Sequence, residues 1–215
     1  MSITAFVILV IATAWWVIVL ALLIFKGDLP AVEAVIPLCW IIFILYWLVT
    51  SLRVKGTAEK QSFRSALAHR LPVVAGYLLI FWRAAPPVNR LLIPHTGPAL
   101  ATGITTCVLG LFVTLWARWT LAGNWSSDVT FKQGHELITT GPYHFVRHPI
   151  YTGLLIMCLG TAIEIGQLRG FLGLACVAAG FWIKLKQEER LLLRHFPGQY
   201  PAYCKRVKAL VPFLL

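Results

Sequence analysis

Acidic residues are scarce in this chain: 8 Asp and Glu against 19 Lys and Arg among 215 residues, a formal charge of +11. Charge of either sign is scarce as well, at 13% of residues, where a soluble domain carries about 25%. With 59% hydrophobic residues and a mean hydropathy of +0.77, too little polar surface is left to cover a water-soluble fold. A disulfide framework and zinc-type spacing are also missing. Cys39, Cys107, Cys158 and Cys176 lie inside apolar runs and Cys204 lies in a basic tail, so they read as buried small hydrophobes and one free thiol. No motif for nucleic acid accompanies the basic balance, and no metal cluster is expected. No internal repeat supports a transporter built from inverted repeats, and few ionisable residues interrupt the apolar runs to mark an ion path.

The chain does have long apolar runs. Ile3 to Phe25 passes without a charge, 23 residues or about 34 Å of helix, enough to cross a bilayer. It lacks a basic segment before it and a small-residue cleavage site after it, so it reads as a span and not as a signal peptide. Further spans read from about Ala31 to Leu52, with a kink expected at Pro37, from Leu71 to the break at "RAAPPVNR", and from Pro98 to Leu121. Two shorter apolar helices, Ile150–Ile165 and Gly170–Ile183, joined by "GQLRG", read as a hairpin. The expected fold is an all-α integral membrane protein of about six apolar helices, followed by an amphipathic C-terminal helix at the cytoplasmic surface. Residues 1–122 read as a transmembrane helical region and 123–215 as a ligand-binding region that contains the helical hairpin, together one structural unit. Basic residues concentrate in Arg53–Arg70 and after Ile183, which places both segments and both termini in the cytoplasm.

Three polar elements fall at the cytoplasmic ends of the last two helices: "GHELITTGPY", "RHPIYTG" and "KLKQEER". A hairpin returns its ends to one side, so Glu188 is expected near His148. Pro149 suits the first turn of a helix, whose free N–H groups then face the cytoplasmic mouth. Those N–H groups attract a carboxylate, Glu188 can hold an ammonium, and Tyr143 and Tyr151 offer faces to a cation or a purine. The pattern suits a zwitterionic ligand. Taken singly, Arg147 reads as an interfacial anchor, Glu188 and Glu189 as a solvated turn, and Glu164 as an outer-loop residue.

Together, "HELITTGPYHFVRHPIYTG", the later "EERLLLRHF" and "YPAYCKRV", and "NWSSDV" resemble the isoprenylcysteine carboxyl methyltransferase family and its phospholipid methyltransferase relatives over residues 118 to 215. The resemblance implies S-adenosylmethionine as methyl donor, bound in a pocket facing the cytoplasm. It implies cofactor contacts at His135, Glu136, Leu137, Ile138, Tyr143, His148, Pro149, Ile150, Tyr151 and Glu188. Family members commonly carry arginine four residues before the first glutamate, facing the acceptor's carboxylate; here that position is Lys184, which keeps the charge and loses the planar fork. Lys184 is the candidate catalytic residue. The reading is a membrane methyltransferase acting on a lipophilic acceptor in the bilayer, first by isoprenylcysteine-type carboxyl methylation and second by phospholipid N-methylation. A sterol-reductase-like enzyme with a nicotinamide cofactor, or a non-catalytic transporter or scaffold, are the readings from other classes.

Overall fold

The computed structural model describes residues 32–51, 57–60, 63–82, 86–125, 130–132 and 136–212, so the first apolar run and His135 lie outside the described residues. It divides into two compact units, residues 1–53 and 54–215. In the first, α1 spans Val35–Ser51. The kink expected at Pro37 does not arise from an interior break: the helix starts two residues earlier, so Pro37 falls in the first turn, where no N–H partner is lost.

The second unit is a helical assembly with one small sheet. Its elements are β1 (Thr57–Lys60), α2 (Phe63–Phe81), α3 (Gly97–Leu121), β2 (Thr130–Lys132), α4 (Pro149–Ile165), α5 (Leu168–His195) and α6 (Gln199–Arg206). β1 and β2 pair antiparallel with an irregularity between Thr57 and Glu59, an addition to the helices that the sequence pattern did not indicate. α2 begins eight residues before the apolar run at Leu71, because "FRSALAHR" is rich in helix formers and extends the helix outward. α5 likewise runs on past Ile183 to His195. The basic tail is therefore the end of α5 followed by the short α6, not one surface helix.

Small residues let the helices approach. Against α4, α3 turns Gly103, Gly110 and Thr114; α4 answers with Gly153, Met157 and Gly160. A Cβ on Gly110 would stand 2.5 Å from the Met157 nitrogen, so no larger residue fits. Gly76 on α2 meets Gly173 and Val177 on α5 in the same way. In lipid, where burying apolar surface gains nothing, such backbone-close contacts are what holds helices together. Met157, Cys158, Val177 and Leu185 are fully buried among them, and Cys107 and Cys158 are the small buried hydrophobes expected.

The α4–α5 hairpin closes through Gly166, held at a φ of 65°, and its carbonyl accepts from Leu92 and Ile93. The Arg169 guanidinium donates to the carbonyls of Leu79, Ile80 and Trp82 at the end of α2. This hairpin end is thus sealed, and the polar side chains of interest gather at the opposite end.

Candidate functional site

The local chain builds the site's floor. Gly141–His144 forms a 3-10 turn, and Val146 pairs in parallel with Lys208 of the tail. His148 precedes α4 without making a side-chain capping bond, and Pro149 opens the helix, as the sequence indicated. His148, Pro149, Ile150 and Tyr151 are all buried.

The hairpin brings α5 opposite. Tyr151 donates its hydroxyl hydrogen to Glu188 Oε1 at 2.6 Å, and His148 Nδ1 stands 3.6 Å from Glu188 Oε2. His148 and Tyr151 stack at 5.6 Å, and Tyr151 stacks on Phe181 at 4.8 Å, so an aromatic column lines this corner. Lys184 Nζ lies 4.0 Å from Glu188 Oε1 and 5.4 Å from the Tyr151 ring centroid. One helical turn apart, Lys184 and Glu188 share a face.

The neighbouring carboxylate has a different setting. Glu189 Oε1 accepts from Arg147 Nε at 2.9 Å and from Arg147 Nη2, and lies 3.3 Å from His148 Nε2. Burial alone would lower the Arg147 pKa, but the hydrogen bonds and charge of Glu189 raise it above its ordinary value, so the guanidinium stays charged. Tyr143 is buried, and burial together with the nearby Glu188 charge pushes its phenol well up, so it stays protonated. Tyr203 donates to the Tyr143 carbonyl.

Tyr143, His148, Tyr151, Lys184 and Glu188 therefore come from two helices and one turn to a single polar corner, while Pro149 and Ile150 are buried in the first turn of α4. The "HELI" stretch contributes differently. Glu136 is exposed, Ile138 is half-buried, and Leu137 packs on the cluster of Tyr200, Tyr203 and Val207 in the tail. Sequence reasoning missed two features. Arg147, read alone as an anchor, is paired with Glu189. On the α2 side, His69 Nδ1 meets Gln187 Oε1 at 2.9 Å, while Gln187 Nε2 donates to Ser65. The adjacent glutamates were a signal for the first: two successive residues on a helix point about 100° apart and so need different partners.

This corner, at the mouth of a hairpin among close-packed apolar helices, occurs in a fold of a known class. The chain is similar to the solved structure of the eukaryotic intramembrane Ras methyltransferase, isoprenylcysteine carboxyl methyltransferase. The TM-score is 0.52 over 82% of this chain and 64% of that one, at 21% identity, which shows a shared fold. At the level of sequence, residues 98–199 match the phospholipid methyltransferase family model. Protein-S-isoprenylcysteine O-methyltransferase B of Arabidopsis thaliana is 30% identical over 115 residues, 52% of this chain and 58% of that protein. The Schizosaccharomyces pombe protein-S-isoprenylcysteine O-methyltransferase is 35% identical over 84 residues, 39% of this chain and 36% of that protein. The Homo sapiens protein of that name is 28% identical over 138 residues, 63% of this chain and 46% of that protein. The chain spans about half the length of the curated relatives it matches first. These matches bear out the resemblance to the isoprenylcysteine carboxyl methyltransferase family. Together with the long apolar helices that begin at Gly97 and Leu168, they make this an integral membrane protein.

Proposed function

We propose that the chain is an integral membrane methyltransferase that uses S-adenosylmethionine to methylate the carboxylate of a lipophilic, isoprenylcysteine-type acceptor. The observation that carries this reading is the shared face of α5, where Lys184 and Glu188 flank the Tyr151 ring.

The residues fit such a donor. Glu188 has one oxygen on the Tyr151 hydroxyl and remains partly open, with a side-chain exposure of 23%, so it can also take an ammonium. The first turn of α4 offers N–H groups to a carboxylate, and His148, Tyr151 and Phe181 supply an aromatic wall. Glu136 is exposed and Ile138 half-buried on the segment whose Leu137 packs on the tail cluster, and the resemblance supports donor contacts there and at the buried Tyr143. Bound there, S-adenosylmethionine supplies an already activated methyl group. The protein's own work is then alignment and exclusion of water, served by the burial of His148 to Tyr151. Lys184 holds the acceptor's carboxylate beside the methyl group. A carboxylate attacks without losing a proton, so no general base is required. The basic residues of Arg53–Arg70 and of the tail after Ile183 support a site that faces the cytoplasm.

Lys184→Met tests the acceptor assignment. It keeps the apolar stem and removes the charge, so turnover of a prenylcysteine carboxylate should fall tenfold or more while S-adenosylmethionine affinity stays within about twofold. Equal turnover in the variant and the parent would remove Lys184 from the acceptor site. Methylation of phosphatidylethanolamine in place of the prenylcysteine would overturn the carboxylate reading.

A further inference from the structure

The tail after α6 runs back across the turn that starts α4. Lys208 and Ala209 give their carbonyls to the N–H groups of Arg147, at 2.8 Å, and His148, at 3.0 Å. Thr152 donates its hydroxyl hydrogen to the Leu210 carbonyl at 2.7 Å. The Arg147 side chain ties the same segment down from the other side, Nη1 donating to the carbonyls of Val207 and Cys204. A single guanidinium thus joins three things: the tail, the turn before α4, and Glu189 on α5. The match to the family model ends at residue 199, so the tail segment lies outside it.

The consequence falls on His148. Glu189 is paired with Arg147 and ionised, so it can only accept, and the hydrogen shared at 3.3 Å belongs to His148 Nε2. Nδ1 of the same ring stands 3.6 Å from Glu188 Oε2, so His148 bridges the two carboxylates and its ring position bears on both. Glu188, whose side chain is 23% exposed, is the carboxylate of the two with room for a ligand's ammonium, and the His148 ring helps fix where it sits. Without the tail, both the backbone of His148 and the guanidinium that shares Glu189 with it lose partners.

We infer that Cys204–Leu210 is a strap that completes the donor site, with Arg147 as the positioning residue that couples it to His148. This rests on the reading of the site as an S-adenosylmethionine pocket. The bonds of Arg147 and the strap run to Glu189, the turn before α4 and Thr152, so the strap governs donor affinity and leaves acceptor affinity alone.

The experiment is a two-site cycle in the full chain, Arg147→Gln and Thr152→Val, each removing one attachment of the strap. Binding of S-adenosylhomocysteine is measured by calorimetry, and amide hydrogen exchange is followed at Val146–His148 and Lys208–Leu210. Arg147→Gln should weaken binding about tenfold and Thr152→Val about threefold, each with faster exchange in both segments. Arg147→Lys should recover part of the loss. The double variant should bind no worse than about twofold below Arg147→Gln alone, because both act through one strap. The KM for a prenylcysteine acceptor should stay within twofold throughout. Faster exchange with unchanged binding would make the strap a purely structural tie and overturn the inference, as would fully additive losses. If Arg147→Gln does not fold, Thr152→Val decides alone, on the same pairing of exchange and binding. Failure of the unmutated chain to bind S-adenosylhomocysteine at all would overturn the donor reading itself.

Discussion

The two ends of the helical unit of residues 54–215 use buried charge in opposite ways. At the hairpin end, Arg169 spends its guanidinium on three backbone carbonyls that α2 leaves over, and on Gln167. The charge there is absorbed by the chain's own helix terminus, which favours a cation. At the mouth end, two carboxylates stand side by side and are not treated alike. Glu189 is closed in by Arg147 and His148 with a side-chain exposure of 11%. Glu188, at 23%, has a neutral phenol as its close partner and Lys184 no nearer than 4.0 Å. One carboxylate is used for structure and its neighbour is left with room for a ligand. A sealed end and a binding mouth differ less in their residue types than in how fully each charge is matched.

Substitutions can break that contrast. The largest effect is expected at Glu189. Glu189→Ala leaves Arg147 half-buried and without its carboxylate, which should cost about 3–5 kcal/mol of stability. A thermal unfolding scan in detergent reads this as a marked fall in midpoint. Arg169→Met, at the sealed end, should cost less, about 2 kcal/mol, since the carbonyls it serves lie at a helix end. Its donor affinity should match the parent's, measured by calorimetry; a loss there would mean the two ends are coupled. Tyr151→Phe removes only the hydrogen bond to Glu188, about 1 kcal/mol, so donor affinity should weaken about fivefold while the ring stack survives. An unchanged affinity would mean that the phenol does not set Glu188 for its ligand.

How far the sequence reveals this differs from element to element. The α4 start at Pro149 is readable, because a proline before an apolar run can only sit where its missing N–H costs nothing. The meeting of Glu188 with His148 follows from hairpin topology alone. The outward extensions of α2 and α5 are not readable from hydropathy, because charged residues there look like loop while the backbone keeps its helix through neighbours on one packed face. The strap is the least visible. Its bonds run from Arg147, His148 and Thr152 to backbone carbonyls, which every residue carries, so no side-chain pattern marks 207–210 as their partner. Leu137 shows the same effect from the other direction. Motif resemblance implies a donor contact, and its packing places it on the Tyr200 and Tyr203 cluster of the tail.

The central claim is that Glu188 is the open carboxylate of a methyl-donor site. Calorimetric titration of the full chain with S-adenosylmethionine, in parallel for the parent and Glu188→Gln, tests it most directly. The expected result is saturable one-to-one binding by the parent and a dissociation constant raised at least tenfold in Glu188→Gln, about 1.4 kcal/mol or more, with an unfolding midpoint close to the parent's. Equal affinity in the two proteins, or binding of a nicotinamide dinucleotide in place of S-adenosylmethionine, would contradict the account.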